Sequence, residues 1–198
     1  MDQLPEQSPK NETRERLIAM ALDLFSRQGY EAVGIQEIVD TVGITKPSLY
    51  YYFGSKQGLL EAIVAEYGLK LCGRFETAAE YHRDLVMNLR GLFDQTISFA
   101  EENPQFFRLA VNLFAVAPET VSYNAGKDLR KRLSATLIAL FKSAAKDHGN
   151  MKGRELIYGE TFFLLLQSCV LLFLNGELKL DEPTRYRIIH QYMHGIFS

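Results

Sequence analysis

Cysteine is scarce in this 198-residue sequence: Cys72 and Cys169 are the only two, and they lie far apart. Two isolated cysteines build neither a disulfide framework nor a paired-cysteine metal motif, and they suit a reducing compartment. An excess of positive charge is also missing. With 22 Lys and Arg against 24 Asp and Glu the formal net charge is -2, so any nucleic-acid binding must rest on a local arrangement of charge. The opening stretch MDQLPEQSPKNE has no apolar core and reads as a polar arm rather than a secretion or transit sequence. The most apolar run, Phe162 to Leu174, is shorter than the ~20 residues a spanning helix needs and has Gln167 at its middle. It reads as a buried helix, which predicts a cytoplasmic chain with no membrane partner.

What is present is helical periodicity. At 47% hydrophobic, the chain has enough apolar material for a substantial core. Ile18, Ala21, Leu22 and Phe25 form one stripe on a helix from about residue 12 to 28, ended by Gly29. Ile35, Ile38, Val39 and Val42 mark a short second helix closed by Gly43. A third runs from Lys46 to about Phe53, and Ser55 stands at the N-cap of a long fourth. Later breaks at Asn103-Pro104, Pro118, His148-Gly149-Asn150, Gly176 and Asp181-Glu182-Pro183 separate further helices, the last two spanning about 152–175 and 183–197. No segment reads as a strand or a repeat. The expected fold is all-α, with a flexible arm over 1–11, a three-helix unit over 12–58 and a larger helical body over 59–198.

The segment GITKPSLYYYFGSKQGL, Gly43 to Leu59, carries the chemistry. Successive helical side chains diverge by about 100°, so three consecutive tyrosines cannot share one core. With Leu49 and Phe53 inward, Tyr51 points out, Pro47 and Ser48 lean out, and Tyr50 and Tyr52 stand at the edges. The preceding helix, a turn containing Gly43, and Thr45 as the next N-cap complete a helix-turn-helix layout. Lys56, directly after the Ser55 cap, places a cation where the helix dipole is already positive, a choice that makes sense if an anion such as a DNA phosphate docks there.

The stretch GYEAVGIQEIVDTVGITKPSLYYYFGSKQGLL resembles the DNA-binding domain of the TetR family of bacterial transcriptional regulators. The match covers roughly Glu12 to Ile63, with Gly43, Ile44, Thr45, Leu49, Tyr50, Tyr52, Phe53, Ser55, Lys56 and Leu59 on the family pattern. The resemblance implies that Thr45 opens the recognition helix, that Lys46, Pro47 and Ser48 approach base edges, and that Tyr51 reads or packs on the groove. It also implies that Tyr50 and Lys56 contact the DNA backbone and that Gln36 reaches base or phosphate. Two positions depart from the pattern. Gly34 replaces the usual Thr or Ser cap of the second helix, and Gln36 replaces a common arginine, removing one charge from the footprint.

For the body, the resemblance implies a homodimer through the two C-terminal helices, a small-molecule effector and a palindromic double-stranded operator, hence a repressor released by its ligand. A penultimate helix apolar nearly all round fits burial against both its own domain and a twin. Phe93, Phe114, Phe162 and Gln167 are candidate ligand residues for a largely apolar effector, the lone amide needing a partner in such surroundings. Catalysis, metal and cofactor have little support. His190 and His194 are four apart but lack a third ligand, no nucleophile-base pair is legible, and Asn124 to Leu129, "NAGKDL", lacks the first glycine and the hydroxyl of a phosphate loop. Lys127, Arg130, Lys131 and Arg132 read as a solvated helix face.

Overall fold

Proline and glycine set the boundaries of the helices. The computed structural model describes residues 9–195, and α1 runs over Pro9–Gln28, α2 over Ile35–Val42, α3 over Lys46–Phe53 and α4 over Lys56–Ala78. The body adds α5 (Leu85–Glu102), α6 (Pro104–Ala115), α7 (Val121–Asp147), a 3-10 turn (Gly149–Met151), α8 (Glu155–Leu174) and α9 (Glu182–His194). Among the described residues no strand occurs, as the all-α reading expects. Residues 1–8 of the expected arm, and the end of the last expected helix from residue 196, lie outside the described residues. Residues 9–11 of that arm are helical, because Pro9 starts the helix three residues before Glu12. The penultimate helix likewise begins at Glu155 and not at Lys152, the intervening residues being used by the 3-10 turn.

The head is a three-helix unit around Leu17, Ala21, Phe25, Ile38 and Leu49, each 0% exposed. α1 packs against α2 and α4 within the head and against α6 of the body. The body is held chiefly by α7 against α8, α4 and α6, with α5 between α4 and α8. Its aromatic core includes Phe93, Phe99, Phe106, Phe141, Phe162 and Phe163, each with less than 2% of its surface exposed. Asn88 donates to the carbonyls of Ala78 and Glu80, both at 2.8 Å, which closes the bend between α4 and α5.

α8 departs from the buried helix that its sequence suggests. At 20 residues it is long and apolar enough, by length and composition, to cross a membrane, yet it packs along α7 and 33% of its most apolar stretch is buried in this chain. Leu156, Ile157, Leu164 and Leu172 remain exposed on its outer side. The basic run of α7 is also not simply solvated: Arg130 pairs with Glu160 of α8 at 3.1 Å and Arg132 with Glu76 of α4 at 2.7 Å.

Candidate nucleic-acid interface

Local chemistry builds the turn before α3. Gly43 closes α2 at φ 76°, the left-handed conformation that glycine adopts without a Cβ penalty, and its N–H donates to the carbonyls of Val39 and Asp40. Arg16 of α1 adds a guanidinium hydrogen bond of 2.9 Å to the Val42 carbonyl, a cation at the negative end of α2. Gly34 caps α2 without a side chain, as expected from its identity. Thr45 occupies the N-cap of α3, but its hydroxyl does not accept from the backbone; it pairs with the Ser48 hydroxyl at 3.0 Å. Ser55 caps α4 as anticipated, accepting from the Gly58 N–H at 2.9 Å.

The α3 side chains separate as the helical wheel requires. Leu49 is fully buried, Tyr52 and Phe53 are half-buried against the core, and Tyr50 and Tyr51 are exposed by 45% and 66%. Tyr51 packs edge-on against Tyr52, ring centroids 5.3 Å apart, so the half-buried ring props the outward one. Lys46 and Pro47 are exposed and Ser48 half-exposed on the same outer side. Gln36 is exposed on α2, its amide nitrogen donating to Asp40 at 2.7 Å, which leaves its carbonyl oxygen and second N–H available for other hydrogen bonds.

Lys56 does not take the outward pose that its place in the first turn of α4 suggests. Its ammonium turns inward and donates to the carbonyls of Tyr30 and Val33, both at 2.7 Å, while lying 4.1 Å from the Tyr30 ring centroid. Burial pushes its pKa below the ordinary 10.5, with the negative charge of Glu31 pulling the other way. The lysine fastens the loop between α1 and α2 onto the start of α4 instead of standing open for an anion. Glu31 of that loop also accepts from the Ser122 hydroxyl at 2.9 Å, which ties the head to the start of α7.

Two residues at this face lie outside the expected set. Lys10, assigned to the arm by sequence, sits in the first turn of α1 with its ammonium 4.9 Å from the Tyr51 ring centroid, and the Tyr51 hydroxyl raises its pKa. The proline at the start of α1 was the available signal, since proline favours the first helical position. Gly58 is the second: a Cβ there would lie 2.0 Å from the Phe53 carbonyl oxygen, so only glycine lets α4 start this close to the end of α3. A glycine in the first turn of a helix, where no C-cap is needed, marks such an approach.

The four candidate ligand residues do not converge. Phe114 and Gln167 line a cavity of about 10 Å³, walled by side chains of α4 to α8 including Phe75, Phe107, Leu133 and Phe163. That is room for about one water. Phe93 and Phe162 lie outside it as a fully buried edge-to-face pair with centroids 5.8 Å apart. His190 and His194 stack on α9 at 4.5 Å, and no group of three or more metal-ligating side chains occurs among the described residues.

Comparison with known proteins places this geometry. A family model described as "Bacterial regulatory proteins, tetR family" matches residues 17–63, the span from α1 into α4. Over 96% of this chain and 85% of the relative, the sequence is 25% identical to an HTH-type transcriptional activator, FasR, of Mycolicibacterium smegmatis. Over 30% of each chain it is 42% identical to an HTH-type transcriptional repressor, BdcR, of Escherichia coli. A solved structure of the transcriptional regulator FadR from Bacillus subtilis, in complex with stearoyl-CoA, shares the fold at a TM-score of 0.74 and 14% identity, covering 92% of this chain and 98% of that one.

Proposed function

We propose that this chain, which belongs to the tetR family of bacterial regulatory proteins and is a DNA-binding transcriptional regulator, acts as a homodimeric repressor released from its operator by a largely apolar small molecule. The observation that carries the DNA reading is the outer face of α3, where Lys46, Pro47, Ser48 and Tyr51 project from a helix packed against α2 and α4. A serine hydroxyl can read a base edge, proline and the tyrosine ring can pack on a thymine methyl, and lysine binds phosphate. Thr45 positions Ser48 through their shared hydrogen bond, Tyr50 is placed to meet a phosphate at the helix edge, and Gln36 offers its carbonyl from α2. Lys56 serves this interface by holding the loop and the start of α4 in register.

The dimer reading rests on the outer sides of α8 and α9. Leu156 and Ile157 are 62% and 63% exposed, and Leu164, Leu172 and Tyr186 extend the same apolar character. A second copy of this face would cover it, and a twofold pair of heads fits a palindromic site. The effector reading rests on the apolar cavity, whose wall includes the half-buried Gln167. These roles place the protein in the cytoplasm, with its DNA.

The test is a mobility-shift titration of the full chain against the DNA upstream of its own gene, at moderate salt with random competitor. A shift that survives competitor, and that cell extract or an apolar ligand reverses, is the expected result. No specific shift with or without extract would overturn the reading.

A further inference from the structure

The end of the body formed by the start of α5, the end of α7 and the 3-10 turn after it holds a cleft that neither the DNA face nor the core cavity uses. Its volume is about 410 Å³, within the range of small-molecule sites. α8 and α9 contribute Tyr158 and Tyr192 to its lining, and α7 contributes the buried Phe141, whose ring lies 5.8 Å from Tyr158 and 6.3 Å from Tyr192. The Tyr192 hydroxyl donates to the Tyr158 carbonyl at 2.6 Å, so this aromatic floor is fixed before anything binds. Met151 and Met193 give adaptable walls.

The rim is polar and mostly basic. Arg83, His148 and His194 line the cleft, and the carboxylate there, Asp84, is engaged as the N-cap of α5, accepting from the Met87 N–H at 2.9 Å. Arg83 is held at φ 63°, a left-handed conformation that non-glycine residues rarely take and that asparagine tolerates better. The fold therefore sets an arginine, at some backbone strain, at the mouth of a rigid aromatic pocket.

We infer that this cleft binds a planar aromatic carboxylate, its ring on Phe141, Tyr158 and Tyr192 and its carboxylate on the guanidinium of Arg83. Aromatic faces stack a flat ring, and the planar fork of arginine matches a carboxylate with two parallel hydrogen bonds. The site is separate from the apolar core cavity lined by Phe114 and Gln167, and its test needs no DNA.

The experiment uses the full chain labelled with ¹³C at the methionine methyls, titrated by NMR with 1-naphthoate and, separately, with neutral 1-naphthalenemethanol. The Met151 and Met193 methyls should shift saturably with naphthoate while Met20, on α1, stays still, and the alcohol should bind about tenfold more weakly. Arg83→Asn should lower naphthoate affinity by about tenfold while leaving the thermal midpoint unchanged or raised, which separates a ligand role from a structural one. Shifts at Met20 of equal size, equal affinity for the alcohol, or an unimpaired Arg83→Asn variant would each overturn the site. So would Met151 and Met193 shifts that follow protein concentration without probe, which would make the cleft part of a contact between copies.

Discussion

Replacing Lys56 with methionine keeps the aliphatic stem and removes the ammonium, which separates its two possible uses. In the structure it makes two hydrogen bonds of 2.7 Å to the carbonyls of Tyr30 and Val33 and sits over the Tyr30 ring. Hydrogen bonds to a charged group contribute roughly 1.5–3 kcal/mol each and an exposed cation–π contact about 0.5–1 kcal/mol. The sum must be reduced, because Lys56 is only half-buried, the two carbonyls can turn to water, and desolvation of the ammonium opposes the gain. A net loss of about 2 kcal/mol remains, or about 4–8 °C in the melting temperature of a chain this size.

Melting by circular dichroism, without DNA, reads that loss directly. Salt titration of operator binding reads the alternative, since each neutralised phosphate contributes about 0.9 to the slope of log K against log salt. A clamp predicts a lower melting temperature and weaker DNA binding at an unchanged slope. A phosphate contact predicts an unchanged melting temperature and a slope reduced by about 0.9 per subunit. The second pattern would refute the clamp.

Gly58→Ala forces a methyl to within 2.0 Å of the Phe53 carbonyl and should cost roughly 2 kcal/mol or more while displacing α3; an unperturbed melt and operator affinity would show that the junction yields freely. Tyr51→Ala should lower preference for the operator and leave binding to random DNA within about twofold, measured by competition; equal losses on both would remove its reading role. Asp181 caps α9 through Thr184, first by the side-chain and then by the backbone hydrogen bond of that residue, and its pKa is lowered from 3.8. Its stabilisation is therefore complete above the ordinary value and disappears as pH falls through the lowered one. Asp181→Ala should melt below wild type at neutral pH and converge with it well below pH 3.8, and a gap that persists in acid would show that the carboxylate's charge is not what holds the cap.

The head was readable because its signals are local. Gly43 ends α2 through its own conformation, Ser55 caps α4 by reaching three residues ahead to Gly58, and the 100° step separates Leu49 from Tyr51 without any knowledge of the body. The inward turn of Lys56 was not legible because its acceptors, Tyr30 and Val33, are 26 and 23 residues earlier; only the folded path of the loop brings those carbonyls to the ammonium. Which candidate ligand residues share a cavity was not legible for a different reason. α8 is apolar on nearly every side, so periodicity cannot say which of Phe162, Phe163 and Gln167 faces the cavity, and the answer depends on how α5, α6 and α7 pack around it.

The same packing constrains the proposed effector. α6 supplies Phe107, Ala110, Val111 and Phe114 to the cavity and rests against α1 of the head, while Glu31 and Ser122 fix the head to α7. A ligand that enlarges a cavity of about 10 Å³ must displace one of its walls, and displacement of α6 or α7 would reach the head through these contacts. Turning a population from about 99:1 bound-competent to 1:99 requires about 5.5 kcal/mol of differential affinity between the two arrangements. In a cavity lined by apolar surface, its one threonine hydroxyl already bonded to the Leu92 carbonyl, that difference must come mainly from apolar burial. At about 0.8 kcal/mol per methylene, it corresponds to about seven buried methylenes beyond whatever opening the cavity costs. A medium or long alkyl chain meets that requirement and a small polar metabolite does not, so release of the operator by a small polar metabolite would show that the signal enters elsewhere.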